Sequence, residues 1–157
     1  MKKHKNIALV AHDNRKGDLI EWVEWNYRIL LKHKLICTGT TGSMVEKAIK
    51  AKIETEGTNE KINVLKLMSG PLGGDQQLGA MIAEKKIDCL VFFWDPMLAQ
   101  PHDVDVKALL RITVVCNIPT ACNRSTADFL ISSPLINEEY NPKLKDYSKY
   151  IMRNVFE

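Results

Sequence analysis

Five short apolar runs punctuate the chain, at Asn6 to Ala11, Leu35 to Thr38, Val64 to Met68, Asp88 to Trp94 and Ile118 to Cys122. Their shortness, and the polar residues that bound them, read as buried strands. Between them the apolar positions recur at helical spacing. The clearest case is Asp18 to His33, where Leu19, Trp22, Val23, Asn26, Ile29 and Leu30 fall near one face, a stripe that predicts core packing. Gly79 to Lys86, Val106 to Val115 and Ser125 to Ser132 continue the alternation. Repeated strand and helix predict an α/β fold, an open, doubly wound, mainly parallel five-stranded sheet flanked by helices.

That architecture says where to look for chemistry, because such sheets bind ligands beyond the carboxyl ends of their strands. The residues just after each run are polar, and four of the five segments are titratable or rich in glycine: His12 to Lys16, Thr38 to Gly42, Ser69 to Gln77, and Asp95 to Asp105. A shared site at one sheet edge accounts for that coincidence. Ala51 to Lys61 is charged and contains Gly57, and reads as an exposed excursion within one domain spanning residues 1–157. From about Ser133 the pattern weakens into a C-terminal arm, with Asp146 to Asn154 a terminal helix or an extended stretch.

Composition narrows the classes. With 157 residues and 45% hydrophobic content the chain can bury a core without staples. A formal net charge of +3, evenly spread, is too mild for a nucleic-acid footprint but helps attract a small anion such as a phosphorylated metabolite. Cys37, Cys89, Cys116 and Cys122 form no CxxC pair and sit inside apolar runs, which predicts buried thiols rather than disulfides or a zinc cluster, and a reducing compartment. The apolar stretch near the N-terminus runs only from Ile7 to Ala11, too short for a signal or membrane segment. The expectation is a soluble cytoplasmic protein that binds neither nucleic acid nor membrane.

The Thr38-Gly39-Thr40-Thr41-Gly42 segment follows a strand and precedes a helix. Small side chains let backbone N–H groups approach an anion, the hydroxyls can donate to phosphoryl oxygens, and the helix N-terminus adds partial positive charge. An ordinary turn with a threonine cap would read the same way. It matches neither the Walker pattern nor the dinucleotide fingerprint. Lys16 could add a point charge, and the Ser69 and Gly70 amides could close another side. Asp75 follows a glycine pair at the opening of a helix, where it could project into a cleft or merely cap the helix. Beside a helix N-terminus, His102 would tend to stay neutral and could hydrogen-bond a carbonyl as it becomes an enolate. Pro101 and Asp103 could equally form a turn in which His102 only packs. No ligand spacing for a metal is present.

Taken together, VAHD, TGTTG, SGPLGGDQQ, FFWDP, PHDVDVKALLR, NIPTACN and STADF, in that order, resemble the methylglyoxal synthase family from about Ile7 to Ser133. The long SGPLGGDQQ and PHDVDVKALLR stretches discriminate best. The resemblance implies an open α/β fold, a homohexamer, no metal or organic cofactor, inhibition by phosphate, and conversion of dihydroxyacetone phosphate to methylglyoxal and inorganic phosphate. It places the catalytic aspartate at Asp75, the carbonyl-polarising histidine at His102, and supporting carboxylates at Asp95 and Asp105. Substrate-binding positions fall on His12, Lys16, Thr38, Gly39, Thr40, Thr41, Ser69 and Gly70. Asp75 and His102 are then expected on opposite flanks of one bound triose. Two rivals stay open: a non-catalytic binding module of the same fold, and an isomerase or aldolase acting on the same triose phosphate.

Overall fold

The computed structural model describes residues 1–99 and 102–152. Pro101 and the end of the expected terminal helix, residues 153–154, lie outside them. Five parallel strands form one sheet: β1 (Asn6–Ala11), β2 (Lys34–Thr38), β3 (Val64–Leu67), β4 (Cys89–Phe93) and β5 (Thr120–Ala121). Their order is β3-β2-β1-β4-β5, with β1 pairing in parallel to both β2 and β4. Alternate residues of the same strands therefore feed two separate cores. Ile7, Leu9, Cys37, Val91 and Phe93 face helices α1 (Lys16–Leu30), α2 (Gly39–Glu56) and α5 (Arg124–Ser132). Ala8, Val10, Ile36, Leu90 and Phe92 face α3 (Gly74–Ala83) and α4 (Asp103–Val115). Covering both faces in this way is what lets the central strands β1 and β4 be almost wholly apolar, while the edge strand β3 carries Lys66 and is partly exposed.

The helices differ from the sequence expectation mainly at their ends. In α1 the buried stripe is Leu19, Trp22, Val23, Tyr27 and Leu30. Asn26 is only half buried, its amide donating to the Trp22 carbonyl at 2.9 Å. Residues 51–56 are not an excursion. They are the last turns of α2, Ile53 reaches the core, and Gly57 at φ +65° ends the helix; the exposed connection starts there. Charge on the solvent face of a helix had looked like loop composition. β5 is shorter than the apolar run that predicted it, only two residues.

Helix α3 begins at Gly74, ahead of the Gly79 to Lys86 stretch of helical spacing and in keeping with a helix opening at Asp75. The glycine pair before Asp75 serves close approach. Gly73 has φ +101°, and a Cβ on Gly74 would overlap the Met68 carbonyl. Beyond α5 a 3-10 turn (Pro134–Asn137) leads into an arm that, among the described residues, includes the short α6 (Ser148–Ile151). That arm is tied to the chain start, with the Tyr140 amide donating to the Met1 carbonyl at 3.2 Å and Lys5 Nζ donating to the Glu138 carbonyl. Among the described residues no helix is long and apolar enough to cross a membrane.

Candidate active site

The carboxyl ends of the strands open into a cleft of about 330 Å³. The topological switch lies between β1 and β4: the chain winds outward from β1 through β2 to β3 on one side, then crosses back to β4 and β5 on the other, and the cleft sits above this point. His12 is the first residue after β1, and its backbone N–H donates to the Phe93 carbonyl at 3.2 Å, so the pairing continues one step past the strand. The imidazole packs edge-on to Phe92 and His102, with ring centroids 5.1 and 5.9 Å away.

His12 Nδ1 accepts the Asp95 backbone N–H at 3.3 Å. A neutral imidazole has one donor and one acceptor, so the proton then belongs on Nε2. That Nε2 is buried and has no partner among the described residues. A buried donor left over at a cleft wall is a group waiting for a ligand atom. Burial, reinforced by the neighbouring His102, holds the His12 pKa below its ordinary 6.5, which favours this neutral form.

Thr38 ends β2, and Gly39 to Gly42 form the first turn of α2 rather than a loop before it. No side chain caps that helix, so the threonine-cap reading is set aside. Gly39 takes φ +30°, and a Cβ there would stand 2.8 Å from Ser69 Cα, which explains why the cradle starts with glycine. Thr38, Gly39, Thr40 and Thr41 line the cleft beside Lys16, whose ammonium donates to Thr40 Oγ1 at 2.5 Å and to Asp13 Oδ1 at 2.5 Å.

The opposite wall comes from the β3–α3 connection. The Gly74 amide donates to the Ser69 carbonyl at 2.9 Å, and Gln77 Oε1 accepts the Met68 amide at 2.8 Å, so α3 is pinned to the strand end. Asp75 thereby sits in the first turn of α3, 3% exposed, with no capping role. Its Oδ2 lies 2.7 Å from His102 Nδ1. His102 precedes α4, and its carbonyl accepts the Asp105 and Val106 amides at 2.9 and 3.1 Å, which fixes the backbone that carries the ring. The two groups were expected to flank a substrate. Instead they touch, because Gly70 lacks a side chain: a Cβ there would be 3.0 Å from His102 Cε1 and 3.1 Å from Asp75 Oδ2.

Ten predicted positions, His12, Lys16, Thr38, Gly39, Thr40, Thr41, Ser69, Gly70, Asp75 and His102, thus line one cleft. Asp95 and Asp105 do not. Asp95 acts on the cleft through its backbone, and its carboxylate is occupied by Asn14 Nδ2 at 3.3 Å and the Met97 amide at 3.0 Å. Asp105 lines the neighbouring groove between α3 and α4. The Asp95 carboxylate is turned by its own bonds to Asn14 and the Met97 amide just after β4, and Asp105 by its place in the first turn of α4. Asp13 and Gln77 were missed. The three-residue spacing of Asp13 and Lys16 was a signal for the first; the second had none. Among the described residues no group of three His, Cys, Asp or Glu is placed to hold a metal ion.

The family model described as the MGS-like domain matches residues 18–122. The methylglyoxal synthase of Maridesulfovibrio salexigens is 58% identical over 157 residues, covering 99% of this chain and 100% of its own. That of Proteus mirabilis is 56% identical, covering 94% of this chain and 90% of its own. A crystal structure of methylglyoxal synthase from Elizabethkingia anophelis superposes with a TM-score of 0.84 at 51% identity, covering 99% of this chain and 95% of that one.

Proposed function

The chain belongs to the methylglyoxal synthase family, and on that ground we infer that it is a lyase converting dihydroxyacetone phosphate into methylglyoxal and inorganic phosphate. The observation that carries this reading is the Asp75–His102 hydrogen bond in the same cleft as the threonine-glycine cradle and Lys16. A binding module would need the cradle and cation but not a buried carboxylate joined to an imidazole.

In the proposed mechanism the phosphoryl group rests on the Thr38 to Thr41 turn and Lys16, with the Ser69 and Gly70 amides on its other side. Asp75 Oδ1, the carboxylate oxygen not bonded to His102, removes a proton from the hydroxymethyl carbon. The charge builds on the carbonyl oxygen. His102 was the expected donor to that oxygen, but a neutral His102 that donates Nδ1–H to Asp75 has a bare Nε2, which accepts. His12 fills the vacancy: its unpartnered Nε2–H is the neutral donor the enediolate oxygen needs.

His102 Nε2 then has a separate task. Phosphate can leave only when electrons flow from the oxygen on the deprotonated carbon through the double bond into the breaking C–O bond. That oxygen must first give up its hydroxyl proton, and His102 Nε2 accepts it. The C–O bond breaks heterolytically, phosphate takes the electron pair, and the enolate left behind gains a proton at its methylene to become methylglyoxal; the two protons taken up by Asp75 and His102 balance this one and the one acquired by the departing phosphate. Overlap requires the C–O bond to stand across the enediolate plane, a dihedral set by the cradle. An isomerase would hold it in the plane.

The reading extends to a single catalytic domain working in the cytoplasm without metal or cofactor, assembled as a homohexamer and inhibited by phosphate. The test is a product balance on purified protein given dihydroxyacetone phosphate. Equal yields of free phosphate and trapped dicarbonyl, unaffected by chelator, support it; a phosphorylated product would mean isomerase or aldolase chemistry, and no turnover by folded protein would mean a binding module.

A further inference from the structure

The cation assigned to the phosphoryl group is already engaged. Two of the three Lys16 ammonium protons are accounted for, one on Asp13 Oδ1 and one on Thr40 Oγ1, each at 2.5 Å. The Lys16 side chain is 18% exposed, whereas that of Asp13 is 86% exposed although it also lines the cleft. The hydrogen bond and charge of Lys16 hold the Asp13 carboxyl below its ordinary pKa, so it is an anion wherever the enzyme works. Nearby Arg15 and Asp18 make a similar three-residue pair at 3.0 Å, but neither lines the cleft. Only the Asp13 pair involves a group that must meet substrate.

We propose that Asp13 is an internal competitor for the phosphoryl group: its carboxylate occupies the Lys16 ammonium in the empty cleft, yields it to each arriving phosphoryl group, and reclaims it as phosphate leaves. The inference rests on the phosphate-binding reading of the cleft. Two anions on one ammonium repel each other, so Asp13 must swing away when a phosphoryl group arrives. Its exposure makes that swing cheap, since an exposed ion pair is worth little. The substrate therefore binds somewhat more weakly than the cradle alone would allow, and the product is less prone to linger. Asp13 thus tunes affinity without touching the reacting carbons.

The experiment is calorimetric titration of the full-length protein with inorganic phosphate at fixed ionic strength, since screening alters such pairs. Wild type, Asp13→Asn, Asp13→Ser, Asp13→Glu and Lys16→Met are compared. Asp13→Asn and Asp13→Ser should bind phosphate about two- to fivefold more tightly and show a matching fall in KM for dihydroxyacetone phosphate, while Asp13→Glu stays near wild type. Unchanged or weaker phosphate binding in both neutral variants, with melting midpoints like wild type, overturns the proposal. Lys16→Met separates the two layers. If it loses phosphate binding, the cleft reading stands even when Asp13 fails; if it binds as well as wild type, both readings fall.

Discussion

Gly70 is where the geometry makes its sharpest demand. Alanine at this position would place Cβ 3.0 Å from His102 Cε1, 3.1 Å from Asp75 Oδ2 and 3.4 Å from Asp75 Oδ1. Comfortable contact starts at the last of these distances, so the ring and carboxylate must retreat by a few tenths of an ångström. Neither has room, because Asp75 is buried and the pair is already at 2.7 Å. A misplacement of about 1 Å at a reacting group costs about a hundredfold, so a shift near half of that should lower kcat by about tenfold. Stability should not follow. Gly70 is not among the glycines with positive φ, and replacing such a glycine restricts the unfolded chain by about 0.4–1 kcal/mol in the protein's favour, offsetting the crowding. Steady-state kinetics and urea denaturation of Gly70→Ala decide the matter. A kcat within twofold of wild type, in a protein of unchanged stability, would refute the claim that the Asp75–His102 contact is fixed by this glycine.

His12→Ala should lose about a hundredfold or more in kcat through the missing oxyanion donor, with Gln in its place recovering part because its amide can reach where Nε2–H points; equal activity in all three proteins removes His12 from that role. Nitrogen NMR at neutral pH should find His12 protonated on Nε2 and His102 on Nδ1, since each partner nitrogen is already committed; the opposite tautomers contradict the division of labour between them. At the other end of the sheet, His33 accepts the Lys5 amide at 3.2 Å, and burial, helped by the Lys5 charge, pushes its pKa to about 4. A histidine held neutral in the fold gives stability that is complete above its ordinary 6.5 and lost as pH falls through about 4, with an upper limit of about 3 kcal/mol. Urea midpoints should therefore drop across that window, and His33→Gln should flatten the drop.

The middle of the sheet was legible because β1 and β4 are buried on both faces and read as apolar runs, so that β1 was placed to the residue. Helix ends were harder. The glycines before Asp75 look flexible in a sequence, yet their role is steric, letting α3 start against the Met68 carbonyl. The ten cleft residues could be found because strand ends converge at one edge in this topology. What could not be found was direction. The approach of His102 to Asp75, and the donor state of His12, depend on a backbone amide from Asp95 and an empty space at Gly70, and neither leaves a mark in residue pattern.

Asp75 is the group proposed to remove a carbon-bound proton inside the cleft that then expels phosphate. Wild type and Asp75→Asn, both verified as folded, should be compared for loss of deuterium from the hydroxymethyl carbon of labelled dihydroxyacetone phosphate alongside phosphate release. The prediction is that both processes run together in wild type and fall by at least about a hundredfold together in the variant. Near-normal loss of deuterium and release of phosphate by Asp75→Asn would contradict it.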